Sequence, residues 1–301
     1  MTNHVVSFSG GRTSAYLVYL IEQMRKSGEW QGNVGYIFMD TGAEHPKTYE
    51  FIRKCVEHFG IELTCLQGDF EQPVGVGHSY KVVQLDQLGY DPINGPFGRM
   101  MVKYGVPTIA SAWCTSRMKE ETHDKYCDDK FGAGNYVTWL GIRADEPRRL
   151  KIGKNPSLRY MAEITDFEKS DVIEFWKKMP FDLGIDEHLG NCVFCFKKGH
   201  GKIALASRDE PELLLTWLGA VNEAADRNTE FEKVDLLGQQ SFNREKMAMH
   251  RGRKTPQDII AMFSMFDDDD LREHVYRNTK ESGGCSESCE AFAADQIDMF
   301  E

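Results

Sequence analysis

A serine- and glycine-rich turn near the start of the chain carries residues that could bind an anion. It is Ser7-Phe8-Ser9-Gly10-Gly11-Arg12-Thr13-Ser14, and it lies between the apolar runs 4–6 and 15–21. The glycines can expose backbone N–H groups, the hydroxyls add further donors, and the start of a helix carries partial positive charge. The turn is therefore predicted to bind a phosphate or pyrophosphate group.

Two comparisons limit what this turn can be. It lacks the lysine of the P-loop signature G-x-x-x-x-G-K-[ST], which argues against a Walker-type ATPase or kinase site. A plain turn between a strand and a helix, capped by a serine, is the structural alternative to an anion site.

Cysteines provide a second group of reactive side chains. Cys192 and Cys195 form a C-x-x-C pair flanked by glycines and lysines, a context that can turn two thiolates toward one metal. With Cys114 they make the kind of thiolate set that holds a [4Fe–4S] cluster or a structural zinc ion. Cys55 and Cys65 are instead predicted to pack as small hydrophobes.

The composition limits the class of protein. A net charge of −11 argues against a surface coated in basic residues for non-specific binding of nucleic acid. No apolar stretch approaches the roughly 18 residues of a membrane span and no signal peptide precedes the first strand, so we expect a cytoplasmic protein with no membrane partner and no disulfide framework.

Two basic clusters stand out against this acidic background. We favour a phosphate or sulfate role for the first, whereas a solvated charged face explains the second equally well. The clusters are Arg143, Arg148, Arg149, Lys151 and Lys154, and Arg244, Lys246, Arg251, Arg253 and Lys254.

The elements that position these residues alternate between strand and helix. Asp40 and Thr41 follow the second predicted strand, and Tyr49 lies on the apolar face of the helix after it. The alternation predicts an α/β fold, doubly wound around a mostly parallel, Rossmann-like sheet, in which ligands bind at the carboxyl ends of the strands. Strands are predicted at 4–6, 34–39, 61–66 and 136–141, and helices at 15–21, 46–59 and 164–176.

The chain is predicted to divide into three parts. Residues 1–200 form a nucleotide-binding α/β domain, residues 201–278 a helical appendage, and residues 279–301 a polar, flexible tail. Residues 67–112 are rich in glycine and proline and predict a long, partly irregular excursion. The aspartates at 267–270 are predicted to form a solvated helix cap or loop rather than a metal site.

Three motifs together resemble the phosphoadenosine phosphosulfate (PAPS) reductase-like family of the adenine nucleotide α-hydrolase superfamily, also called the PP-loop ATP pyrophosphatases. Residues 9–14 are similar to the S-G-G-x-x-S loop, residues 40–46 to the D-T-G…P segment, and residues 141–146 to the G-x-R-x-x-E segment. The resemblance implies a PP-loop/HUP type of fold and, as the bound nucleotide, ATP or (phospho)adenylyl sulfate.

The resemblance also implies roles for individual residues. Asp40 and Thr41 would lie at the nucleoside, and Arg143 would act catalytically on a phosphate or sulfate. Because Thr13 stands where related ATPases carry an acidic residue that helps to hold Mg²⁺, Asp40 is the candidate magnesium contact. The implied nucleotide-binding residues are Ser7, Ser9, Gly10, Gly11, Arg12, Thr13, Ser14, Asp40, Thr41, Gly141 and Arg143.

The cysteines have counterparts in cluster-bearing adenylyl sulfate reductases. These carry a C-C-x-x-R-K stretch, in which Cys114 and Arg117 match and Trp113 replaces the first cysteine. Three of the four cluster ligands would then remain: Cys114, Cys192 and Cys195. Such a cluster leaves one iron open to carry sulfur, as in related tRNA-thiolating enzymes; alternatively, Cys285 or Cys289 supplies the fourth ligand, with zinc as the other candidate metal.

The resemblance leaves two versions of sulfur chemistry open. In a reductase a tail cysteine attacks sulfur, and since the family's E-C-G-x-H segment is absent, Cys285 and Cys289 are the candidate catalytic residues. In a PP-loop sulfurtransferase, ATP activates an acceptor and sulfur then displaces AMP.

Each version implies its own partners. A reductase would need a thioredoxin-like reductant, whereas a sulfurtransferase would need a sulfur source such as a cysteine desulfurase and an acceptor, either a nucleic acid or a small molecule. The non-enzymatic alternative is a nucleotide-binding regulator or nucleic-acid-associated accessory protein with a structural zinc ion.

Overall fold

A six-stranded sheet forms the centre of the fold in the computed structural model, which describes residues 2–72, 76–109, 111–227 and 248–277. In space the strand order is β4-β3-β2-β1-β5-β6; β4 runs antiparallel to β3, and all other neighbours are parallel. The predicted doubly wound α/β fold is thus confirmed. The strands are β1 (Asn3–Ser7), β2 (Asn33–Met39), β3 (Leu63–Asp69), β4 (Ser79–Val83), β5 (Tyr136–Leu140) and β6 (Leu158–Tyr160).

This strand order creates a crevice at the carboxyl edge of the sheet. Starting from β1, the chain adds β2 and β3 on one side and later β5 and β6 on the other. Val5 of β1 pairs with Gly35 of β2 and with Thr138 of β5, so the three strands are in register. The loops after β1 and β5 therefore part at a topological switch point, where ligands bind in open parallel sheets.

Helices cover the sheet and extend the fold toward the C-terminus. Gly28 and Gly60 end the first two helices in the left-handed conformation, with φ of 80° and 68°. Within the described ranges, no helix is both long enough and apolar enough to cross a bilayer. The helices are α1 (Arg12–Ser27), α2 (Pro46–Phe59), α3 (Pro96–Tyr104), α4 (Trp113–Thr115), α5 (Glu121–Phe131), α6 (Lys169–Lys178), α7 (His200–Asp209), α8 (Pro211–Arg227), α9 (Pro256–Met262) and α10 (Asp268–Arg277), and a π-helical stretch, Ser116–Glu120, joins α4 to α5.

Sequence patterns miss the two edge strands, β4 and β6. Both are short and partly exposed, and Val82 of β4 leaves 56% of its surface exposed. A half-exposed edge strand lacks the continuous apolar run that marks the buried strands of a parallel sheet. The predicted irregular excursion at 67–112 therefore contains regular structure: the end of β3, then β4 and α3.

The stretch 164–176, predicted to form a cap followed by a helix, contains a turn and a capping box before α6. Phe167 N–H donates to Thr165 Oγ1 (3.3 Å), which forms a turn before the helix. Glu168 is the N-cap of α6, and its backbone N–H donates to Asp171 Oδ2 (2.9 Å). This capping box fixes the first helical residue at Lys169.

The main core lies between the sheet and its helices, and α8 belongs to it. Trp176 of α6 and Trp217 of α8 are among its largest fully buried side chains, and α8 packs against α3. Ile203 of α7, Ile259 of α9 and Leu271 of α10 form a smaller cluster. The three-part division of the chain stays a prediction, and the predicted tail lies outside the described residues.

The aspartate run at 267–270 lies at the start of α10. Its side chains are exposed, and Asp267 Oδ1 accepts a hydrogen bond from the backbone N–H of Asp270 (2.8 Å). Acidic groups suit this position because the first turn of a helix carries partial positive charge. The run is a solvated helix cap, as predicted.

Candidate functional site

The turn after β1, residues 8–14, is closed by its own hydrogen bonds, and we call it the anion loop. Ser14 Oγ accepts a hydrogen bond from Ser9 N–H (3.1 Å), contacts Ser9 Oγ (2.9 Å) and donates to the carbonyl of Gly11 (3.1 Å). Gly11 is the N-cap of α1, so the helix starts directly at the loop. The loop has the geometry expected of an anion site at a helix N-terminus.

Glycine is required at position 10 for two independent reasons. Its φ is +81°, in the left-handed region. A Cβ on Gly10 would lie 2.8 Å from Thr48 Cγ2 and 3.0 Å from Ile52 Cδ1, because the loop packs tightly on α2. Trp176 Nε1 of α6 also donates to the Arg12 carbonyl (2.9 Å), so two helices hold the loop in one conformation.

Arg143 reaches the anion loop from the other side of the switch point. It follows β5, is 3% exposed, and donates from Nη1 to Thr13 Oγ1 (3.2 Å). Asp145 orients the guanidinium through Nε (2.7 Å). Both arginines near the loop are paired with carboxylates. Arg12 forms a bidentate ion pair with Asp182, in which both N···O distances are 2.7 Å, and Arg143 also contacts Asp145 through Nη2 (3.3 Å) and Glu146 through Nη1 (3.5 Å). Arg143 is the arginine that reaches the loop from across the switch point, through its bond to Thr13.

The remaining predicted loop residues take positions consistent with a site at the strand ends. Ser7 is buried at the end of β1, and Gly141 is buried directly after β5. Phe8 N–H donates to the carbonyl of Ile37 in β2 (2.8 Å), which anchors the start of the loop to the sheet.

Two carboxyl groups, Asp40 and Glu44, form a buried centre after β2, which we call the carboxylate centre. Tyr49 Oη donates to both groups, with 3.0 Å to Asp40 Oδ1 and 3.0 Å to Glu44 Oε2. Thr41 Oγ1 lies 2.7 Å from Glu44 Oε2, and Gln67 Nε2 donates to Asp40 Oδ2 (2.6 Å). Both acids are 3% exposed.

The environment of Asp40 changes its acidity. Burial, followed by the nearby charge of Glu44, raises the pKa of Asp40 from its ordinary 3.8 to about 6. Burial, followed by the charges of Glu44 and Asp40, raises the pKa of Tyr49 well above its usual range, so the Tyr49 hydroxyl stays protonated and can donate a hydrogen bond. The centre thus holds a carboxyl group that can exchange a proton near neutral pH.

Residues 192–196, which we call the cysteine loop, pack directly on the carboxylate centre. Val193 N–H donates to the carbonyl of Ala43 (3.0 Å), and Cys192 forms a β-bridge with Glu44. Cys192 Sγ lies 3.6 Å from Thr41 Oγ1 and 3.8 Å from Glu44 Oε1. The fold therefore brings one predicted metal ligand into contact with the predicted nucleoside residues.

Two lysines after the C-x-x-C pair fix the cysteine loop. Lys198 is 4% exposed and donates from Nζ to the carbonyls of His188 (2.7 Å) and Val193 (2.8 Å). Lys197 Nζ donates to Thr115 Oγ1 (3.2 Å), which is the neighbour of Cys114 in α4. These bonds join the cysteine loop to the helix that carries Cys114 and bring positive charge close to the thiols.

Three other cysteines are buried and have no reactive character. Burial raises the pKa of Cys65 and of Cys127 to about 12 and that of Cys55 further. A thiol that does not ionise is a poor nucleophile and a poor metal ligand. The prediction that Cys55 and Cys65 pack as small hydrophobes is confirmed.

A tight group of ligand atoms exists elsewhere in the described ranges, in Asp186, His188 and Asp209, whose atoms lie within 4.8 Å of one another. His188 Nε2 lies 2.8 Å from Asp209 Oδ2, Arg272 Nη2 lies 2.6 Å from Asp209 Oδ1, and Tyr276 Oη lies 2.9 Å from His188 Nδ1. These bonds join α7 to α10 as a polar clip. Among described residues the three predicted cysteine ligands do not form so tight a group.

Sequence reasoning and structure differ most on the supporting residues. Tyr49 and Gln67 complete the carboxylate centre, but the sequence pattern predicts for Tyr49 only a place on the apolar face of α2. Gln67 directly follows the third predicted strand, which ends at residue 66, whereas β3 of the structure continues to Asp69 and includes it. Cys285 and Cys289, the predicted catalytic cysteines, lie outside the described residues.

Comparisons with known proteins agree with the geometry. The phosphoadenosine phosphosulfate reductase domain matches residues 3–74, which include the anion loop and the carboxylate centre. The uncharacterized nin region protein ORF290 of Escherichia phage lambda is 45% identical over 298 residues, covering 98% of this chain and 97% of that protein. The uncharacterized protein MJ0066 of Methanocaldococcus jannaschii is 22% identical over 237 residues, covering 74% of this chain and 42% of that protein.

No solved structure gives a significant match. The phage relative nevertheless aligns along nearly the whole chain, and the domain match covers the anion loop and the ends of β1 and β2. This domain is associated with nucleotide-related sulfur or phosphate chemistry. The chain belongs to the PAPS reductase-like family, within the PP-loop superfamily.

Proposed function

We propose that this protein is an enzyme that binds an adenine nucleotide at the anion loop and performs sulfur chemistry with the cysteines beside it. One contact carries the proposal: Cys192 Sγ lies 3.6 Å from Thr41 Oγ1, at the strand end that also holds Asp40. A metal ligand in contact with the nucleotide edge of a PP-loop fold would place a bound cluster beside a nucleotide-activated group.

The shape of the switch point supports nucleotide binding. The anion loop offers backbone N–H groups and hydroxyls for phosphate or sulfate oxygens, and the buried guanidinium of Arg143, which Asp145 and Glu146 hold in place, offers further donors. Asp40 and Thr41 would meet the nucleoside, with Asp40 the candidate contact for Mg²⁺. Preorganised donors of this kind stabilise the charge that develops on phosphorus or sulfur.

Cys114, Cys192 and Cys195 are the candidate ligands of an iron–sulfur cluster, with a structural zinc ion as the alternative. The contact between Cys192 and the carboxylate centre, together with the Lys197 bond that joins the cysteine loop to α4, supports one shared site for these thiols. Such a cluster is bound by thiolates. When bound, it would supply electrons or carry sulfur, and Lys197 and Lys198 would offset the charge of its ligands.

Metal analysis tests the cluster. We expect anaerobically purified protein to contain iron and acid-labile sulfide, and Cys192→Ser to lose most of both. Cys127→Ala is the matched control, because this buried cysteine has a pKa of about 12 and should not bind metal. Zinc without iron in the wild type would contradict the cluster and favour a structural metal.

Product analysis then separates the two reactions. Sulfite released from an adenylyl sulfate indicates reduction and a thioredoxin-like partner, whereas pyrophosphate released from ATP indicates adenylation followed by sulfur transfer. Either activity should be lost in Ser14→Ala, which removes the hydroxyl that closes the anion loop. Binding of nucleotide with release of neither product would contradict an enzyme and favour a regulator.

The tail cysteines provide a further test. If the reaction is a reduction, Cys285→Ser or Cys289→Ser should abolish sulfite release and leave nucleotide affinity unchanged. If it is an adenylation, pyrophosphate release should persist in both variants. Full sulfite release in the double variant would remove both cysteines from the catalytic set.

A further inference from the structure

A cavity of ≈ 410 Å³ is lined by residues from the end of β3, from α3 and from α8, outside the anion loop and the cysteine loop. Its volume lies within the range of about 300–1,000 Å³ that is usual for small-molecule sites. None of the residues that line it has a role in the proposed chemistry. Phe70, Ile93 and Val102 give the cavity an apolar wall.

The apolar wall is held in place by close packing. Phe70 is 5% exposed, and the centre of its ring lies 5.0 Å from that of His78. Gly98 of α3 approaches the preceding turn so closely that a Cβ on it would lie 1.9 Å from the carbonyl oxygen of Ile93. The wall is therefore largely formed before any ligand binds, as is usual for small-molecule sites.

Two cationic side chains on α3 line the same cavity. Arg99 and Lys103 lie four residues apart, so they share one face of the helix, where like charges repel each other. The one carboxylate that Arg99 contacts in the described part of the chain is Glu71, at 4.0 Å, and Glu71 pairs more closely with Lys81, at 2.7 Å. Lys103 Nζ donates to the carbonyl of Gly77 (3.1 Å), which is neutral and does not offset its charge. The α3 side of the cavity thus favours an anionic group.

A carboxyl group lies on another wall. Glu223 of α8 lines the cavity, and α8 packs against α3. Its negative charge disfavours a ligand that is only anionic, such as phosphate. The cavity therefore presents positive charge from α3, negative charge from α8 and an apolar surface beside them.

We propose that this cavity binds a free α-amino acid with an apolar side chain. The carboxylate of the ligand would meet Arg99 and Lys103, its ammonium group would meet Glu223, and its side chain would lie against Phe70 and Ile93. An arginine fork matches the two oxygens of a carboxylate, and the opposite charges of an α-amino acid lie close together, as the two charged walls require. The inference goes beyond the proposed function and does not depend on it.

The test is isothermal titration calorimetry with L-methionine, whose unbranched side chain can follow the apolar wall. We expect saturable binding at one site, and Arg99→Ala should weaken it about tenfold or more, because the variant loses a charge-assisted pair with the carboxylate. Lys177→Ala, which removes an exposed charge from α6, is the matched control and should bind like the wild type.

Glu223→Gln tests the ammonium contact separately. It should weaken binding of L-methionine several-fold but should not weaken binding of the deaminated acid with the same side chain. Arg99→Ala should weaken binding of both compounds. Damage to the fold would lower both affinities in both variants, so this difference between the variants reports on the ligand contacts themselves.

Three results would overturn the assignment. No binding of L-methionine, L-leucine or L-phenylalanine would exclude an amino-acid site, and displacement of L-methionine by an equal concentration of inorganic phosphate would reduce it to a general anion site. Unchanged affinity in Arg99→Ala would exclude this cavity. Ser14→Ala should bind L-methionine normally and Arg99→Ala should bind ATP normally, so failure here is distinct from failure of the proposed function.

Discussion

The anion loop and the cysteine loop meet at the same edge of the sheet, yet they are held in place in different ways. In the anion loop, the bonds of Ser14 reach Ser9 and Gly11, five and three residues away. The side chain of Cys192 contacts Thr41 and Glu44, which are 151 and 148 residues away in sequence. The anion loop is closed by local bonds and then held by two helices, whereas the contacts of Cys192 with Thr41 and Glu44 all join distant segments.

This difference has consequences for how each site responds to change. A local loop backed by two helices is a rigid element, so damage to it should appear in stability as well as in binding. The cysteine loop depends on contacts between distant segments and on the charges of the carboxylate centre. Its state should therefore respond to pH and to the protonation of Asp40.

The largest expected effect breaks the rigidity of the anion loop. Gly10→Ala should lower the free energy of unfolding by about 3 kcal/mol, because a Cβ meets α2 at 2.8 Å and the backbone must keep a positive φ. Gly28→Ala is the matched control: its φ is +80°, but nothing lies within 4 Å of the added atom. It should cost about 1 kcal/mol. Urea denaturation followed by circular dichroism measures both.

Comparing Gly10→Ala with Gly28→Ala also tests whether the contact with α2 causes the larger loss of stability. Equal losses in the two variants would mean that left-handed backbone alone accounts for the cost and that the loop does not press on α2. A loss of nucleotide binding in Gly10→Ala at full stability would mean that the glycine serves the ligand rather than the fold.

The same contrast explains what the sequence predicts well. The anion loop, β1, β2 and α2 are each visible as contiguous patterns, and α2 has the bounds expected from Pro46 and Gly60. The position of Asp40 and Thr41 at the carboxyl edge of the sheet is predicted because they follow a buried strand. In this half of the site, the structure forms within short segments, and the sequence patterns of those segments indicate it.

The rest of the site could not be predicted because its contacts are tertiary. The position of Cys192 on Thr41 depends on how the segment after α6 returns to the sheet, which no local pattern records. Tyr49 looks apolar in the helix periodicity, although its hydroxyl serves two carboxyl groups. Edge strands such as β4 could not be predicted for a similar reason, since they are partly exposed and lack a continuous apolar run.

A second prediction concerns the carboxylate centre and pH. Asp40 has a pKa of about 6 in the folded state against an ordinary 3.8, so between these values the native protein holds a proton that the unfolded chain has lost. Stability should therefore fall as pH rises from about 4 to 6, by up to about 3 kcal/mol from this group. Asp40→Asn, which has no ionisable group there, should lose most of this slope.

Denaturation at several pH values between 4 and 7 measures the slope. Asp86→Asn is the control, because this aspartate is exposed and its replacement should leave the slope unchanged. Identical slopes in wild type and Asp40→Asn would contradict the raised pKa of Asp40 and mean that this carboxyl group is ionised throughout the range.

The smallest effect distinguishes the two arginines that flank the anion loop. Arg143→Lys should weaken ATP binding about tenfold, or about 1.4 kcal/mol, because lysine cannot hold Asp145 through Nε and reach Thr13 at the same time. Arg12→Lys should change affinity far less, since Arg12 forms its bidentate pair with Asp182, outside the loop, whereas Arg143 also donates to Thr13 in the loop. Isothermal titration calorimetry compares the two with the wild type. A larger loss of affinity in Arg12→Lys than in Arg143→Lys would mean that Arg12 leaves Asp182 when nucleotide binds. The positive charge at the anion loop would then come from Arg12 at the start of α1 and not from Arg143 across the switch point.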